Sequence, residues 1–91
     1  MPLSLRQSAK FRRDVKRLFR QGADLSRLKL VVETLVAEQP LEARFRDHAL
    51  VGNWKGYREC HIQPDWLLIY RVTNDELQLV RTGSHVDLFA R

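Results

Sequence analysis

The spacing of apolar residues predicts a helix near the N-terminus of the chain. Phe11, Val15 and Leu18 follow one another at helical spacing, so their side chains share one face. Ser8 precedes this pattern and is a residue type that commonly caps a helix N-terminus. Gly22 then ends the pattern, which predicts the helix end.

A second helix is predicted directly after the first. Asp24 is its capping residue, and Gln39-Pro40 stops it, because proline disfavours helical backbone at the preceding residue. The apolar side of this helix consists of Leu25, Leu28, Val32 and Leu35. The two segments together predict a helical hairpin.

From about Phe45 the pattern changes to alternation, which is typical of strands. The predicted strands are RDHALVG, YRECHI, WLLIYRV and LQLVRTG, and turn-forming residues separate them. The opening PLSLRQ predicts a further strand at a sheet edge. This order predicts an α+β fold in which the N-terminal helical hairpin packs on a mostly antiparallel four- to five-stranded sheet.

Length and composition predict one domain, residues 1–91, around one core. The N-terminal MPLSLRQSAK lacks the layout of a secretion signal, and no apolar run reaches membrane-spanning length, so we expect a cytoplasmic protein without membrane contact. The one cysteine, Cys60, adjoins His61, and alternation directs the two side chains to opposite faces. We therefore expect Cys60 in the core rather than in a Cys-His nucleophilic pair.

Positive charge is concentrated in the first third of the chain. Residues 1–30 carry nine lysines and arginines against two acids, a net charge of +7, whereas residues 31–91 carry a net charge of −2. Such a run is compatible with a solvated helix face and with an anion-binding surface. The candidate residues for contact with a nucleic-acid backbone are Lys10, Arg13, Lys16, Arg17 and Arg20.

The three histidines, His48, His61 and His85, all fall in or near the ends of predicted strands, and Asp65 lies at a turn. If these strands are neighbours, the side chains converge on one exposed face. The spacing contains neither an H-x-H nor an H-E-x-x-H pair, so we expect no metal site and no cofactor. Histidines suit acid-base chemistry at neutral pH, and RNA is a polyanion that supplies its own 2′-hydroxyl nucleophile.

Several motifs resemble the YafQ family of bacterial toxins, within the RelE/ParE superfamily of toxin-antitoxin systems. They lie in DHALVGNWKGYRECHIQPDWLLIYRV and in LVRTGSHVDLF. The resemblance implies a ribosome-dependent endoribonuclease that cleaves mRNA and that a cognate antitoxin silences. It also implies that the catalytic set is His48, His61, Asp65 and His85, and that Trp66 and Phe89 help to place the substrate.

Within that set we expect His85 to be the general acid and either His61 or Asp65 to be the general base. His48 then stabilises the phosphate, and Arg81 is a candidate for a further phosphate contact. ParE-like relatives keep the fold and act on DNA gyrase instead. The alternative hypothesis is therefore a non-catalytic ParE-like inhibitor or protein-binding module on the same fold.

Overall fold

In a computed structural model that describes residues 2–90, a five-stranded sheet carries two long helices on one face and a short helix on the other. The elements in chain order are β1 (Ser4–Gln7), α1 (Ala9–Arg20), α2 (Leu25–Val36), β2 (His48–Ala49), β3 (Arg58–Gln63), β4 (Trp66–Val72), β5 (Glu76–Gly83) and α3 (His85–Phe89). Among residues 2–90, no helix has the length and apolar character needed to cross a membrane.

Both long helices begin at the predicted caps. The Ser8 hydroxyl accepts a hydrogen bond from the Phe11 amide at 2.9 Å, and the Asp24 carboxylate accepts one from the Ser26 amide at 3.1 Å. Each bond satisfies an amide that has no partner inside its helix. At the far end of α1, Gly22 has a φ of 82°, a conformation that glycine adopts without steric cost.

The strands lie in the order β1-β5-β4-β3-β2. β1 runs parallel to β5 at one edge, and the remaining neighbours pair antiparallel, so the predicted edge strand and the predicted fold class are confirmed. β2 is only two residues long, and it places His48 directly opposite Glu59 of β3. Side chains directly opposite each other share one face of the sheet.

The short helix α3 was not predicted; the sequence placed His85 only in or near the end of a strand. Ser84 caps this helix by accepting a hydrogen bond from the Asp87 amide, and the Asp87 carboxylate accepts one from the Ser84 amide. These two reciprocal hydrogen bonds form a capping box, which begins a helix at this point instead of extending β5. His85 is consequently the first residue of a helix.

The central strand β4 is covered on both faces. Leu68 and Tyr70 pack with the core beneath α1 and α2, while Leu67 and Ile69 pack with Leu88 on the opposite face. The helix-side core also contains the cysteine of β3, which is fully buried; burial raises the pKa of this thiol to about 12. The expectation that Cys60 is a core residue is therefore confirmed.

A buried carboxylate, Asp14, fastens α1 to the part of β5 that extends beyond β1. Asp14 is 2% exposed and accepts hydrogen bonds from the Thr82 amide at 3.1 Å and from Arg81 at 2.7 Å. Arg17 also donates to Asp14, at 2.8 Å, and to the Thr82 carbonyl, at 3.2 Å. Side chains of α1 thus satisfy the amide and the carbonyl of Thr82 at the strand edge.

These contacts make stability depend on the charge of Asp14. Burial alone would raise the pKa of this carboxyl, but the hydrogen bonds from Arg81, Arg17 and the Thr82 amide outweigh it and hold the pKa below the ordinary value of 3.8. Because the pKa is lowered in the folded state, ionised Asp14 contributes its full share of the folding stability at any pH above the unfolded pKa. This contribution is lost as the pH falls through the folded value, below 3.8.

We predict that Asp14→Asn lowers the free energy of unfolding by about 3 kcal/mol at pH 7, because it leaves two arginines without their buried counter-charge. Urea denaturation between pH 7 and pH 2.5 measures the effect. The difference between the wild type and the variant should shrink as the pH falls below 3.8. Asp75→Asn, which removes an exposed carboxylate, is the control and should change stability little. A constant difference across this pH range would contradict the prediction.

Candidate active site

Three histidine side chains lie in a row on the sheet face opposite α1 and α2. The ring centroids of His48 and His61 are 6.2 Å apart, and those of His61 and His85 are 6.0 Å apart. The side chains of His48 and His85 are half exposed, while that of His61 is mostly buried. The predicted convergence of the three histidines is therefore confirmed.

Backbone carbonyls hold two of these rings in a defined orientation. His48 Nδ1 lies 2.6 Å from the carbonyl oxygen of Arg46, and His61 Nδ1 lies 3.3 Å from that of Pro64. A carbonyl oxygen only accepts, so each Nδ1 must carry the hydrogen of this bond. Nε2 is then the nitrogen that each ring presents to the site.

The third ring, His85, is held by Asp65. Its Nδ1 lies 2.8 Å from Asp65 Oδ1, and its backbone amide donates to the same oxygen at 3.1 Å. Both hydrogen bonds from His85 lower the pKa of the Asp65 carboxyl, and the bond from the imidazole has the larger effect. From the sequence, Asp65 was an alternative to His61 as the general base. The β3–β4 turn instead directs its carboxylate to His85 of α3.

A carboxylate that the sequence interpretation missed, Glu59, lies between the other two histidines. Its Oε1 is 3.4 Å from His48 Nε2 and 3.5 Å from His61 Nε2, and its side chain is 8% exposed. A buried carboxylate needs polar or charged partners, and the two imidazoles supply them. Alternation along β3 does place Glu59 on the face of His61, but the pairing opposite His48 depends on strand order.

Phe89 extends the row beyond His85. Its ring centroid is 6.5 Å from that of His85, and Trp54 meets Phe89 edge-on at 6.3 Å. A pocket of about 440 Å³ opens here, and it is large enough for a nucleobase. Its lining consists of Leu50, Val51, Asn53, Trp54, His85 and Phe89. The predicted position of Phe89 at the site agrees with this geometry, whereas Trp54 was not predicted.

The other aromatic residue expected to help place the substrate, Trp66, lies in the core. It is 6% exposed, and its Nε1 donates a 2.9 Å hydrogen bond to Thr82 Oγ1. The expectation that Trp66 helps to place the substrate is therefore wrong. Alternation along β4 puts Trp66 on the same face as Leu68 and Tyr70, beneath the helices.

Two predicted phosphate-binding arginines are engaged inside the fold. Arg81 and Arg17 both bond to Asp14, and Arg17 also lies 3.5 Å from Asp87 of α3. Both guanidinium groups are engaged in contacts within the fold, although Arg81 was predicted to contact a phosphate and Arg17 a nucleic-acid backbone. The remaining cations of the predicted basic face are exposed on α1: Lys10, Arg13, Lys16 and Arg20.

Comparison with known proteins identifies the family of the chain. A family described as "Bacterial toxin of type II toxin-antitoxin system, YafQ" matches residues 3–90. The chain belongs to the YafQ family. The mRNA interferase toxin YafQ of Escherichia coli K12 is 42% identical over 83 residues, which cover 90% of each chain.

Solved structures of YafQ-family and related toxins have the same fold. A metal-bound toxin from Helicobacter pylori is 46% identical, with a TM-score of 0.90 over 96% of this chain and 99% of that one. The toxin-antitoxin complex DinJ–YafQ of E. coli matches at 39% identity and a TM-score of 0.91, over 98% and 99% of the two chains. Metal binding is a property of the H. pylori protein. Within residues 2–90 of this chain, no three histidine, cysteine or acidic side chains have the arrangement of a metal site.

We predict that Asp65 sets the tautomer of His85 in this member of the YafQ family. When the His85 imidazole is neutral, long-range ¹H–¹⁵N NMR spectra should show its proton on Nδ1. In Asp65→Ala the carboxylate acceptor is absent, so the proton should redistribute between Nδ1 and Nε2. Asp75→Ala, an exposed change elsewhere, should leave the His85 signals unchanged. An identical His85 tautomer in wild type and Asp65→Ala would contradict the assignment.

Proposed function

We propose that the protein is an mRNA interferase, an endoribonuclease that cleaves mRNA on the ribosome in the cytoplasm and that a cognate antitoxin silences. The observation that carries this proposal is the row of three histidines, in which the neighbours His61 and His85 each lie beside a different carboxylate. Glu59 lies beside His61, and Asp65 lies beside His85. Two acid-base groups that face a common gap are what RNA cleavage by internal attack requires.

The reaction begins at the 2′-hydroxyl of the RNA. His61, assisted by Glu59, takes the hydroxyl proton, and the 2′-oxygen bonds to the adjacent phosphorus. His85 donates a proton from Nε2 to the departing 5′-oxygen as the P–O5′ bond breaks. The products are a 2′,3′-cyclic phosphate and a free 5′-hydroxyl. The attack needs no metal-activated water, because the RNA supplies its own nucleophile.

The two carboxylates give His61 and His85 different roles. Asp65 bonds to His85 Nδ1 and stabilises the imidazolium form that donates the proton. Glu59 faces His61 Nε2 and stabilises the positive charge that His61 acquires as it takes a proton. His48 lies on the other side of Glu59, where its imidazole can stabilise charge on the phosphoryl oxygens. The aromatic pocket at Phe89 can hold a base beside the leaving group.

We predict that His85→Ala reduces cleavage of ribosome-bound mRNA by about 10²–10⁴-fold, because the departing 5′-oxygen then lacks its proton donor. Single-turnover cleavage of mRNA on programmed ribosomes measures the rate, and end-group analysis should find 2′,3′-cyclic or 3′-phosphate ends. Ribosome binding should change little, since the proton is transferred in the transition state. The control is Val86→Ala, at an exposed neighbour on the same helix.

Two results would contradict this mechanism. Products that end in a 3′-hydroxyl would indicate attack by water rather than by the 2′-hydroxyl. Undiminished growth inhibition by His85→Ala would favour the non-catalytic inhibitor or binding module.

Binding to the ribosome is assigned to the exposed cations of α1. They project away from the histidine row, on the helical side of the sheet, so they can contact ribosomal RNA while the catalytic face meets mRNA. An antitoxin with acidic segments would compete for the same cations, which is one route to silencing.

We predict that Lys16→Glu combined with Arg20→Glu weakens ribosome binding and flattens its dependence on salt, because each lost phosphate contact reduces counterion release. Co-sedimentation at 50–300 mM salt, roughly the range in which such contacts dominate, measures both effects. The matched control, Lys16→Arg with Arg20→Lys, keeps the charge and should retain the wild-type salt slope. Equal slopes for all three proteins would show that the basic face is only a solvated surface.

A further inference from the structure

A cleft of about 380 Å³ opens beside His61, the middle ring of the histidine row. We call it the arginine cleft, and its main lining residues are Arg27, Arg44, Phe45, Arg46, His61 and Pro64. Arg27 comes from the first turn of α2, while Arg44 and Arg46 come from the segment before β2. The mechanism proposed above uses His61 but none of these arginines.

The charges of this cleft are largely uncommitted. Arg27 lies 3.9 Å from Asp24 and Arg44 lies 3.7 Å from Glu42, and the side chains of both pairs are more than half exposed. Exposed pairs at such distances contribute little and exchange readily for a better anion. Within residues 2–90, no carboxylate lies within ion-pair distance of Arg46. Three guanidinium groups around one opening suit a phosphodiester, which they can bind with two hydrogen bonds each.

Two contacts connect the arginine cleft to the catalytic row. His61 forms part of its wall, and the Arg46 carbonyl accepts the Nδ1 hydrogen bond of His48. Arg46 has φ 49° and ψ 45°, a left-handed conformation that costs free energy in a residue other than glycine. Arg44 is stacked on the ring of Phe45 at 4.6 Å, which restrains its guanidinium at the cleft. The segment that carries the arginines is therefore joined directly to the histidine row.

The order of groups along the row gives the direction of the RNA. In the proposed function, on which this step rests, His85 protonates the 5′-oxygen of the downstream nucleotide. Downstream RNA then leaves toward Phe89, whose ring is 6.5 Å from that of His85. The nucleotide that supplies the 2′-hydroxyl lies at His61, so the chain on its 5′ side continues past Pro64 into the arginine cleft.

We infer that the arginine cleft binds the RNA phosphate on the 5′ side of the nucleotide that supplies the attacking 2′-hydroxyl. Arg46 is the main contact, since its guanidinium has no acidic competitor among the described residues. Arg44 supports it from the adjacent turn. The cleft would hold the strand so that the cleaved phosphate stays between His61 and His85.

A thermodynamic cycle tests this inference. The ribosomes carry a short mRNA with a 2′-O-methyl group at the cleavage position, which prevents cutting, and toxin affinity is measured with and without a neutral methylphosphonate at the upstream phosphate. We expect the neutral linkage to weaken wild-type binding about tenfold. Arg46→Gln should weaken binding to the RNA with the charged upstream phosphate by a similar factor. Replacing that phosphate with the neutral linkage should then weaken binding of the variant no further.

Matched measurements separate this effect from a general loss of charge. Arg13→Gln removes an exposed cation of α1 and should lose affinity by the same factor with either RNA. Arg46→Lys, which keeps the charge, should recover part of the coupling. A second RNA with the neutral linkage downstream of the cleavage position should show no coupling to Arg46.

Additive losses for Arg46→Gln and the upstream linkage would overturn the inference, and so would coupling to the downstream linkage. Cleavage of unmodified mRNA, followed in parallel with wild-type protein, reports on the proposed function itself. Coupling in the binding cycle without any cleavage would retain the arginine cleft as an RNA site and reject the nuclease. Cleavage without coupling would retain the nuclease and reject the arginine cleft as the site of the upstream phosphate.

Discussion

The buried carboxylate of Asp14 joins the helical layer to the strand that leads into the catalytic face. It accepts hydrogen bonds from α1 and from β5, and Arg17 continues the network to Asp87 at the start of α3. His85 lies two residues before Asp87, so the orientation of the proposed acid depends on where this helix is held. An ionised group in the interior is tolerated because every contact it makes is charge-assisted or comes from an otherwise unpaired backbone amide.

A second hydrogen-bond network links the core to the junction between β5 and α3. Thr82 accepts a hydrogen bond from Trp66 and donates one to the Leu67 carbonyl at 2.7 Å, so the strand before α3 is fixed on both sides. Gly83 follows, and a Cβ at this position would lie 2.6 Å from the guanidinium of Arg17. A side chain here would displace the Arg17 guanidinium from its position over the strand. The junction between β5 and α3 is therefore set by packing as well as by hydrogen bonds.

Local signals account for the parts of the molecule that were predicted from sequence. The Ser8 and Asp24 caps and the alternation that buries Cys60 depend on residues close together in the chain. Errors arose where the partner is distant: Arg81 meets Asp14 across 67 positions, and Asp65 meets His85 across 20. No local pattern encodes such pairs, because they depend on the order of strands and on a five-residue helix. Trp66 was misassigned for a different reason: β4 is covered on both faces, so alternation alone does not distinguish a core position from a site position.

The two faces of the sheet differ in how they are held together, and this difference bears on function. The helical face has the larger core, in which apolar side chains of α1 and α2 pack against the sheet. The catalytic face has a small cluster around Leu67, Ile69 and Leu88, and its functional side chains come from short segments held mainly by hydrogen bonds. Such segments can adjust to a bound strand at little cost in apolar burial. Because the half-exposed histidines, His48 and His85, contribute little to either core, replacing one removes a reactive group while β4 stays covered on both faces. Selection for catalysis can therefore act on this surface without conflict with the packing that keeps the protein folded.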